Sequence, residues 1–402
     1  MNAQLILAPG KDKAVLRRHP WLFSGAVRRI QGNPQPGDLV DVYSADGRWL
    51  AVGHYQDETI ICKVLSFDTP AIDRDFFSQR ILSAIRYRQS LGFFNGQDTN
   101  VFRLVHAEGD GLPGLVCDWY NGRLVMQAHS VGMHRLFPML TELFVQHLQN
   151  LTPGNADVPI RAIFDKSSAT LPGGCVDTYL WGEEQDNWEV TENGIRLLVN
   201  PREGQKTGFF IDQRENRRLL QGLAANRRVL NCFGYTGGFS LAALKGGAEY
   251  VETVDISQKA ITLCNANVSL NADLPDDRHK GVVADVLQYL AALNANHSAF
   301  DLIILDPPAF AKNHRALQQG LKGYRKINQA AMEMIAPGGL LMTFSCSQAV
   351  SKEDFQTMVF TSAINAHRQV RIVRQLPHAI DHPVSIYHPE GEYLKGLLLE
   401  VE

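Results

Sequence analysis

The sequence lacks the features that would direct it to a bilayer, an oxidising compartment or a structural metal. No apolar run approaches the roughly 20 residues that a helix needs to cross a membrane, and Met1 to Lys13 has no apolar signal-peptide core, so a soluble chain that stays in the cytoplasm, with no membrane partner, is expected. Its six cysteines, Cys62, Cys117, Cys175, Cys232, Cys264 and Cys346, form no Cys-x-x-Cys pair, which argues against a zinc site and against a disulfide framework. No metal is expected, and each thiol has to be judged alone. The dinucleotide fingerprint Gly-x-Gly-x-x-Gly is missing where a nucleotide loop would otherwise carry it. Net charge is small, −3 at pH 7, and at 402 residues the chain is too long for one core. Two or three domains are expected, with no reading of the oligomeric state.

What is present centres on Arg228 to Ile256. A short apolar strand, Val229 to Phe233, opens at Gly234, Gly237 and Gly238 into a helix from about Phe239 to Gly246-Gly247, and a second strand ends on Asp255. Glycines at a strand's carboxyl end permit a tight turn and let backbone N–H groups approach a ligand, while an acid ending the next strand can accept both hydroxyls of a ribose. The loop lies among aromatic and hydroxyl residues rather than in a pyrophosphate-seating pattern, which suits S-adenosylmethionine, a nucleoside without phosphate. An ordinary strand-to-helix turn would use the same glycines. Beyond Asp255 the chain alternates: helix Gln258 to Leu270, a strand to Ala284 followed by Asp285, strand Leu302 to Leu305 followed by Asp306, a helix near Leu321 to Ile335, and strand Leu340 to Phe344 before Cys346. This is the pattern of a doubly wound parallel sheet, with Asp255, Asp285, Asp306 and Cys346 on its ligand-binding edge. Each of the acids could instead cap the next helix.

Upstream, the first 30 residues carry Lys11, Lys13, Arg17, Arg18, Arg28 and Arg29 against Asp12 alone, interleaved with His19, Trp21 and Phe23. That mixture suits phosphate contacts and base stacking, or simply a solvated positive edge. Leu39 to Tyr43, the turn Asp46-Gly47 and Trp49 to Tyr55 read as a hairpin, and Thr59 to Phe67 as a further strand. Asp73 to Leu91 reads as a helix capped by Asp73, with Phe77, Ile81 and Ile85 inward and Arg80, Arg86 and Arg88 on its other faces. Strands Val101 to His106, Leu115 to Tyr120 and Arg123 to His129 follow, the last two joined at Asn121-Gly122, then a helix His134 to Leu148, strand Ile160 to Asp165 and a loose loop at Pro172-Gly173-Gly174. Glu108 to Gly114 lacks the ligand spacing of a calcium loop and reads as a turn. A hairpin around Asn193-Gly194 leads to Gln205 to Arg214, where Asp212 is placed to cap a helix through Leu220.

Several of these segments resemble known families. Arg18-His19-Pro20-Trp21-Leu22-Phe23-Ser24-Gly25 resembles the opening of PUA domains carried by some RNA methyltransferases, which implies an RNA-binding module. Gln205-Lys206-Thr207-Gly208-Phe209-Phe210-Ile211-Asp212-Gln213-Arg214, the glycine loop after it, and Arg103-Leu104-Val105-His106 to Pro113-Gly114 resemble the bacterial ribosomal RNA large subunit methyltransferase I family. The resemblance implies a PUA-like domain over 1–75, an α+β domain over 76–187 and a Rossmann-like methyltransferase domain over 188–402, acting on large-subunit ribosomal RNA. It places Gln205, Lys206, Thr207 and Phe210 beside the methionine end of S-adenosylmethionine and Asp285 at the adenine amino group. Asn231, Phe233, Gly234, Gly237, Gly238 and Asp255 complete the expected cofactor set.

Asp306-Pro307-Pro308-Ala309-Phe310 resembles the loop that faces the target base in base methyltransferases; its prolines stiffen the strand exit, and Phe310 is expected to stack on the base. Lys312, His314 and Lys322 follow as phosphate-steering candidates. Ser345-Cys346-Ser347-Gln348 resembles the nucleophile run of cytosine-C5 RNA methyltransferases, in which a thiolate adds to C6 and makes C5 nucleophilic; Asp306 is expected to bond or protonate N3. Many members of that wider class have a second cysteine where this chain has Ala309, so release of the product must use another group. Two further readings stay open, a base N-methyltransferase that needs no thiol and a non-catalytic RNA-binding protein. His378, His382 and His388 read as a cluster in a surface or RNA-facing loop before the closing strand, or, less simply, as a metal triad.

Overall fold

The computed structural model describes residues 2–95, 98–149, 159–171, 174–295 and 300–402. The loop read at Pro172-Gly173 lies outside them. The chain divides into two compact units, one made of Met1–Thr191, Val199–Ile211 and Ile380–Gly391, the other of Glu192–Leu198, Asp212–Ala379 and Glu392–Glu402. The division expected near residue 75 falls inside the first unit, and the chain leaves that unit within the hairpin Trp188–Glu192 and Ile195–Val199.

The first unit begins with a six-stranded sheet in the order Trp21–Phe23, Ile60–Ser66, Trp49–Tyr55, Leu39–Tyr43, Ala3–Leu7, Val27–Gln31. The expected hairpin pairs antiparallel, and alternate residues such as Val40 and Val42 face a small core with Leu5, Leu7 and Val64. Asp73 accepts the Phe76 N–H and starts the helix Arg74–Ser90. Its Phe77, Ile81 and Ile85 join one core with Leu65 of the first sheet and Phe102, Leu104 and Leu124 of a second, five-stranded sheet. That sheet runs Thr178–Gly182, Ala162–Asp165, Arg123–Ala128, Leu115–Tyr120, Val101–His106. Asn121 and Gly122 have φ of 48° and 88°, the left-handed pair that a two-residue hairpin needs. The single helix expected over 134–148 is two, Val131–Arg135 and Phe137–Gln149, because Pro138 has no N–H with which to continue the first.

Three expectations are corrected. Arg88 is not on a solvent face of its helix: its side chain is fully buried and donates to both oxygens of Asp110, at 2.6 and 2.9 Å, and to the carbonyls of Arg103 and Asp381. The turn Glu108 to Gly114 therefore exists in part to bring Asp110 under that guanidinium. Asp212 does not cap a helix; the helix Arg214–Leu223 follows a 3₁₀ turn with Gln213 at its N-cap, and the buried Asp212 carboxylate instead accepts the Tyr393 hydroxyl at 2.6 Å. His382 and His388 do not lie in a surface loop. His378 belongs to the second unit, while His382 and His388 belong to the first and are both buried, His382 against Asp381 and His388 against Trp21.

The second unit is a seven-stranded sheet in the order His279–Val283, Tyr250–Asp255, Arg228–Cys232, Phe300–Leu305, Ile335–Ser345, Lys395–Val401, Val370–Gln375. The first five strands are parallel, as the alternation of strands and helices requires. Lys395–Val401 then runs antiparallel between Ile335–Ser345 and Val370–Gln375. Leu230, Ile303, Leu305 and Leu341 of the sheet pack against Leu290, Tyr324, Ile327 and Phe355 of the helices Val286–Ala295, Leu317–Met334 and Lys352–Asn365. Strand order reverses between Arg228–Cys232 and Phe300–Leu305, and a crevice at such a reversal, outside the carboxyl ends of the strands, is where open α/β sheets take ligands.

Candidate active site

The glycine loop leaves Arg228–Cys232 with Phe233 and Tyr235 in left-handed conformations, φ 60° and 46°, and turns at Gly237, φ 86°, into the helix Gly238–Lys245. Packing leaves no alternative to glycine at two positions. A Cβ on Gly234 would lie 2.3 Å from Thr253 Cγ2, and one on Gly237 2.3 Å from Cys264 Sγ. The loop is therefore drawn tightly down on the second strand, and the second strand holds it. Asp255 Oδ2 accepts the Tyr235 N–H at 3.0 Å while Oδ1 accepts the Ser257 N–H at 2.9 Å. Each carboxylate oxygen keeps a second lone pair, so Asp255 is half-buried, oriented by its neighbours and still able to accept two hydroxyls.

Asn231 is not at the rim. It is buried beneath the loop, its Nδ2 donating to Ser240 Oγ at 2.8 Å, with Ser240 in turn bonded to Thr253 and Thr253 to His279. Burial holds the His279 imidazole down to about 4, so it is neutral in this chain of hydrogen bonds. Asn231 Oδ1 is buried with no hydrogen-bond partner among the described residues. A buried polar side chain under the glycine loop, with one oxygen left unpaired, is a polar setting that fits a nucleoside cofactor better than an apolar ligand. Asp285 lies two residues beyond its strand, exposed, and accepts the Gln288 N–H at 3.0 Å as the cap of Val286–Ala295. Gln205, Lys206, Thr207 and Phe210 belong to the first unit. There Gln205 and Lys206 are exposed, the Lys206 ammonium sits 4.5 Å from the Phe210 ring centroid, and Thr207 is buried, donating to Asp118 Oδ2 at 2.5 Å and bonded to the Tyr120 hydroxyl at 2.9 Å.

The other half of the second unit's edge is built by two neighbouring parallel strands. Phe300–Leu305 ends at Asp306, and Ile335–Ser345 ends at Cys346; both residues are half-buried, and Cys346 Sγ comes within 3.9 Å of the Pro307 carbonyl oxygen. The loop after Asp306 is fixed by two residues that the sequence does not announce. Ser347 Oγ accepts the Ala311 N–H at 3.2 Å and bonds the Tyr324 hydroxyl at 2.8 Å, and that hydroxyl accepts the Phe310 N–H at 3.4 Å. Burial raises the Tyr324 phenol, which keeps it a neutral donor and acceptor. Pro307 is buried, Pro308 exposed, and the Phe310 ring packs on Tyr324 at 4.7 Å and edge-on to Phe233 at 6.3 Å. Phe310 is thus turned toward the core, and stacking on a base would require it to leave Tyr324.

Burial divides the cysteines into four enclosed thiols and two, Cys175 and Cys346, that are partly exposed. Cys62, Cys117, Cys232 and Cys264 are buried, and desolvation raises all four thiols, Cys264 to about 12. A thiol in that range presents almost no thiolate at neutral pH. Cys346 is half-exposed at a strand end among polar groups, the environment in which a thiol reacts.

In the first unit Lys13, Arg17 and Arg18 are exposed. Arg18 forms a two-pronged pair with Asp68 at 2.6 and 3.0 Å, a surface contact that solvent screens. Trp21 is half-buried: its indole N–H donates to Glu108 at 2.8 Å, and its ring packs 4.3 Å from His388. Only a change of partner would free that face for a base.

Comparison with known proteins gives the family. Residues 103–382 match the family model described as S-adenosylmethionine-dependent methyltransferase, and residues 5–67 a PUA-like domain. Ribosomal RNA large subunit methyltransferase I of Aeromonas salmonicida is 39% identical over 407 residues, covering 99% of each chain, and that of Citrobacter koseri 38% identical over 404 residues, covering 100% of each. Among solved structures, a methyltransferase complexed with SAH superposes with a TM-score of 0.86 at 22% identity over 100% of both chains, a likeness of fold.

Proposed function

The chain belongs to the S-adenosylmethionine-dependent methyltransferases, in the family of ribosomal RNA large subunit methyltransferase I, and we propose that it methylates C5 of a cytosine in large-subunit ribosomal RNA through a covalent bond from Cys346. The observation that carries this reading is the placement of Cys346 Sγ 3.9 Å from the Pro307 carbonyl, on the strand end next to Asp306. An N-methyltransferase has no use for a thiol there.

The cofactor, when bound, supplies an electrophilic methyl group carried on a sulfonium. In the second unit the loop Phe233, Gly234, Gly237 and Gly238 would hold it, with Asn231 beneath, Asp255 at the ribose and Asp285 toward the adenine. The Cys346 thiolate forms a bond to C6 of the cytosine, and the C5–C6 electron pair becomes available at C5 while Asp306 bonds or protonates N3. C5 takes the methyl group. A base then removes the C5 proton, the C5–C6 double bond re-forms, and the C6–S bond breaks to return the thiolate. Pro307 and Pro308 fix the exit from the strand so that the Asp306 carboxyl and the Cys346 sulfur keep their spacing. Exposed Lys13, Arg17 and Arg18 of the PUA-like domain are assigned to RNA phosphates, with Trp21 at their edge. Among the described residues no helix is long and apolar enough to cross a membrane, and the cytoplasm is proposed as the compartment of the reaction.

The test is the position of the methyl group. Large-subunit RNA incubated with the protein and S-adenosylmethionine, digested to nucleosides and analysed by mass spectrometry, should yield 5-methylcytidine. A methyl group on a guanine or adenine nitrogen would transfer the Asp306-Pro307-Pro308 loop to the N-methyltransferase reading, and no methyl transfer to either naked or assembled RNA would favour a binding protein.

A further inference from the structure

One buried cation of the second unit has no part in the mechanism above. Lys395 opens the strand Lys395–Val401 opposite Ser345 in the antiparallel register, and only 6% of it is exposed. Lysine is almost never buried to this degree without a charged partner. Its Nζ donates to the Ser347 carbonyl at 2.6 Å and to the Tyr393 carbonyl at 2.7 Å. Those contacts bracket Cys346: the lysine stands across from residue 345 and is bonded to residue 347. Two neutral carbonyls do not offset the desolvation of a full charge. The charges acting on Lys395 are those of Cys346, Glu392 and Lys352, and of these Glu392 is partly exposed and already paired with Lys352 at 2.6 Å. Cys346, bracketed by the two positions that Lys395 meets, is the neighbouring group whose ionised form would compensate the ammonium.

We propose that Lys395 is the positioning residue of the nucleophile, taking the proton of Cys346 on Nζ so that the resting site holds a thiolate beside an ammonium. The S–H bond breaks, an N–H bond forms, and no net charge is created in the site. The inference rests on the reading of Cys346 as nucleophile. When sulfur leaves C6 at the end of the reaction it meets the same ammonium, so its expulsion needs no proton from water. Burial lowers Lys395 to about 8, a range in which the amine can take up and return a proton near neutral pH.

The experiment is the pH dependence of Cys346 alkylation by iodoacetamide in the full-length protein without RNA, read on the Cys346 peptide by mass spectrometry. In the wild type the rate should rise with a midpoint below about 8.5. Lys395→Met should move that midpoint up by at least about one unit, the effect of losing an adjacent opposite charge, and the pH profile of methyl transfer should move with it. Lys395→Arg, which keeps the charge, should hold the midpoint low. An unchanged midpoint in Lys395→Met overturns the proposal; should that variant fail to fold, a wild-type midpoint at or above 8.5 overturns it alone. The nucleophile reading fails separately, by methyl transfer that survives Cys346→Ala whatever the alkylation profile shows.

Discussion

Cys346→Ala should abolish methyl transfer to cytosine, by about 10⁴-fold or more, while leaving cofactor and RNA affinity nearly unchanged. Without an adduct at C6 the C5 position is too poor a nucleophile to take the methyl group, so the loss falls on the chemical step and not on binding. The structure supports that separation. The loop after Asp306 is fixed by Ser347 and Tyr324, and the approach of the Cys346 sulfur to the Pro307 carbonyl, at 3.9 Å, is a weak contact. Burial raises the Cys62, Cys117, Cys232 and Cys264 thiols, and also that of the less buried Cys175, which leaves them poor nucleophiles at neutral pH. Single-turnover methylation with saturating RNA and cofactor would measure the step, and calorimetry the binding. Retention of even a tenth of the wild-type rate would remove Cys346 from the mechanism.

A second large effect should appear in the first unit. Asp110→Ala should destabilise the first unit by about 3–5 kcal/mol, because it strands the buried Arg88 guanidinium. Both Asp110 oxygens accept from Arg88, and Oδ2 also accepts the His106 N–H at 2.5 Å, so the substitution orphans donors on the helix Arg74–Ser90 and the strand Val101–His106 together. Replacing both members, Arg88→Met with Asp110→Ala, should cost much less, since no uncompensated charge then stays inside. All five tryptophans, Trp21, Trp49, Trp119, Trp181 and Trp188, lie in the first unit, so urea unfolding followed by tryptophan fluorescence reports on that unit. A midpoint for Asp110→Ala equal to wild type would mean that water reaches Arg88 in solution.

The elements that sequence reasoning placed well are those whose causes are local. Glycines at Gly234 and Gly237, the Asn-Gly pairs at 121–122 and 193–194 with φ near 50° on each asparagine, the Asp73 cap and the apolar period of the helix Gln258–Leu270 all depend on neighbours within a few residues. The strand ends carrying Asp255, Asp306 and Cys346 were legible for the same reason. What the sequence hid was pairing over distance. Nothing near Arg88 announces Asp110, 22 residues on, and nothing near Asp212 announces Tyr393, 181 residues on. A cap and a solvent-facing arginine are the better local guesses, and tertiary packing overrides both. The tail histidines misled because a polar stretch before the closing strand was read as a surface loop, when the chain returns to the first unit at Ile380 and takes His382 and His388 into its interior. Lys395 carried no motif at all; only the antiparallel register that sets it opposite Ser345 gives it meaning.

The central claim is a covalent bond between Cys346 and the target base, and trapping that bond tests it most directly. RNA bearing 5-fluorocytidine at the target should hold the wild-type enzyme as a stable adduct after methyl transfer, because fluorine at C5 cannot leave as a proton does and the sulfur is then not expelled. Mass spectrometry of the digested complex should place the modified nucleotide on Cys346 and on no other cysteine. An adduct on a different residue, or full methylation of ordinary RNA by a protein that never forms one, would contradict the account.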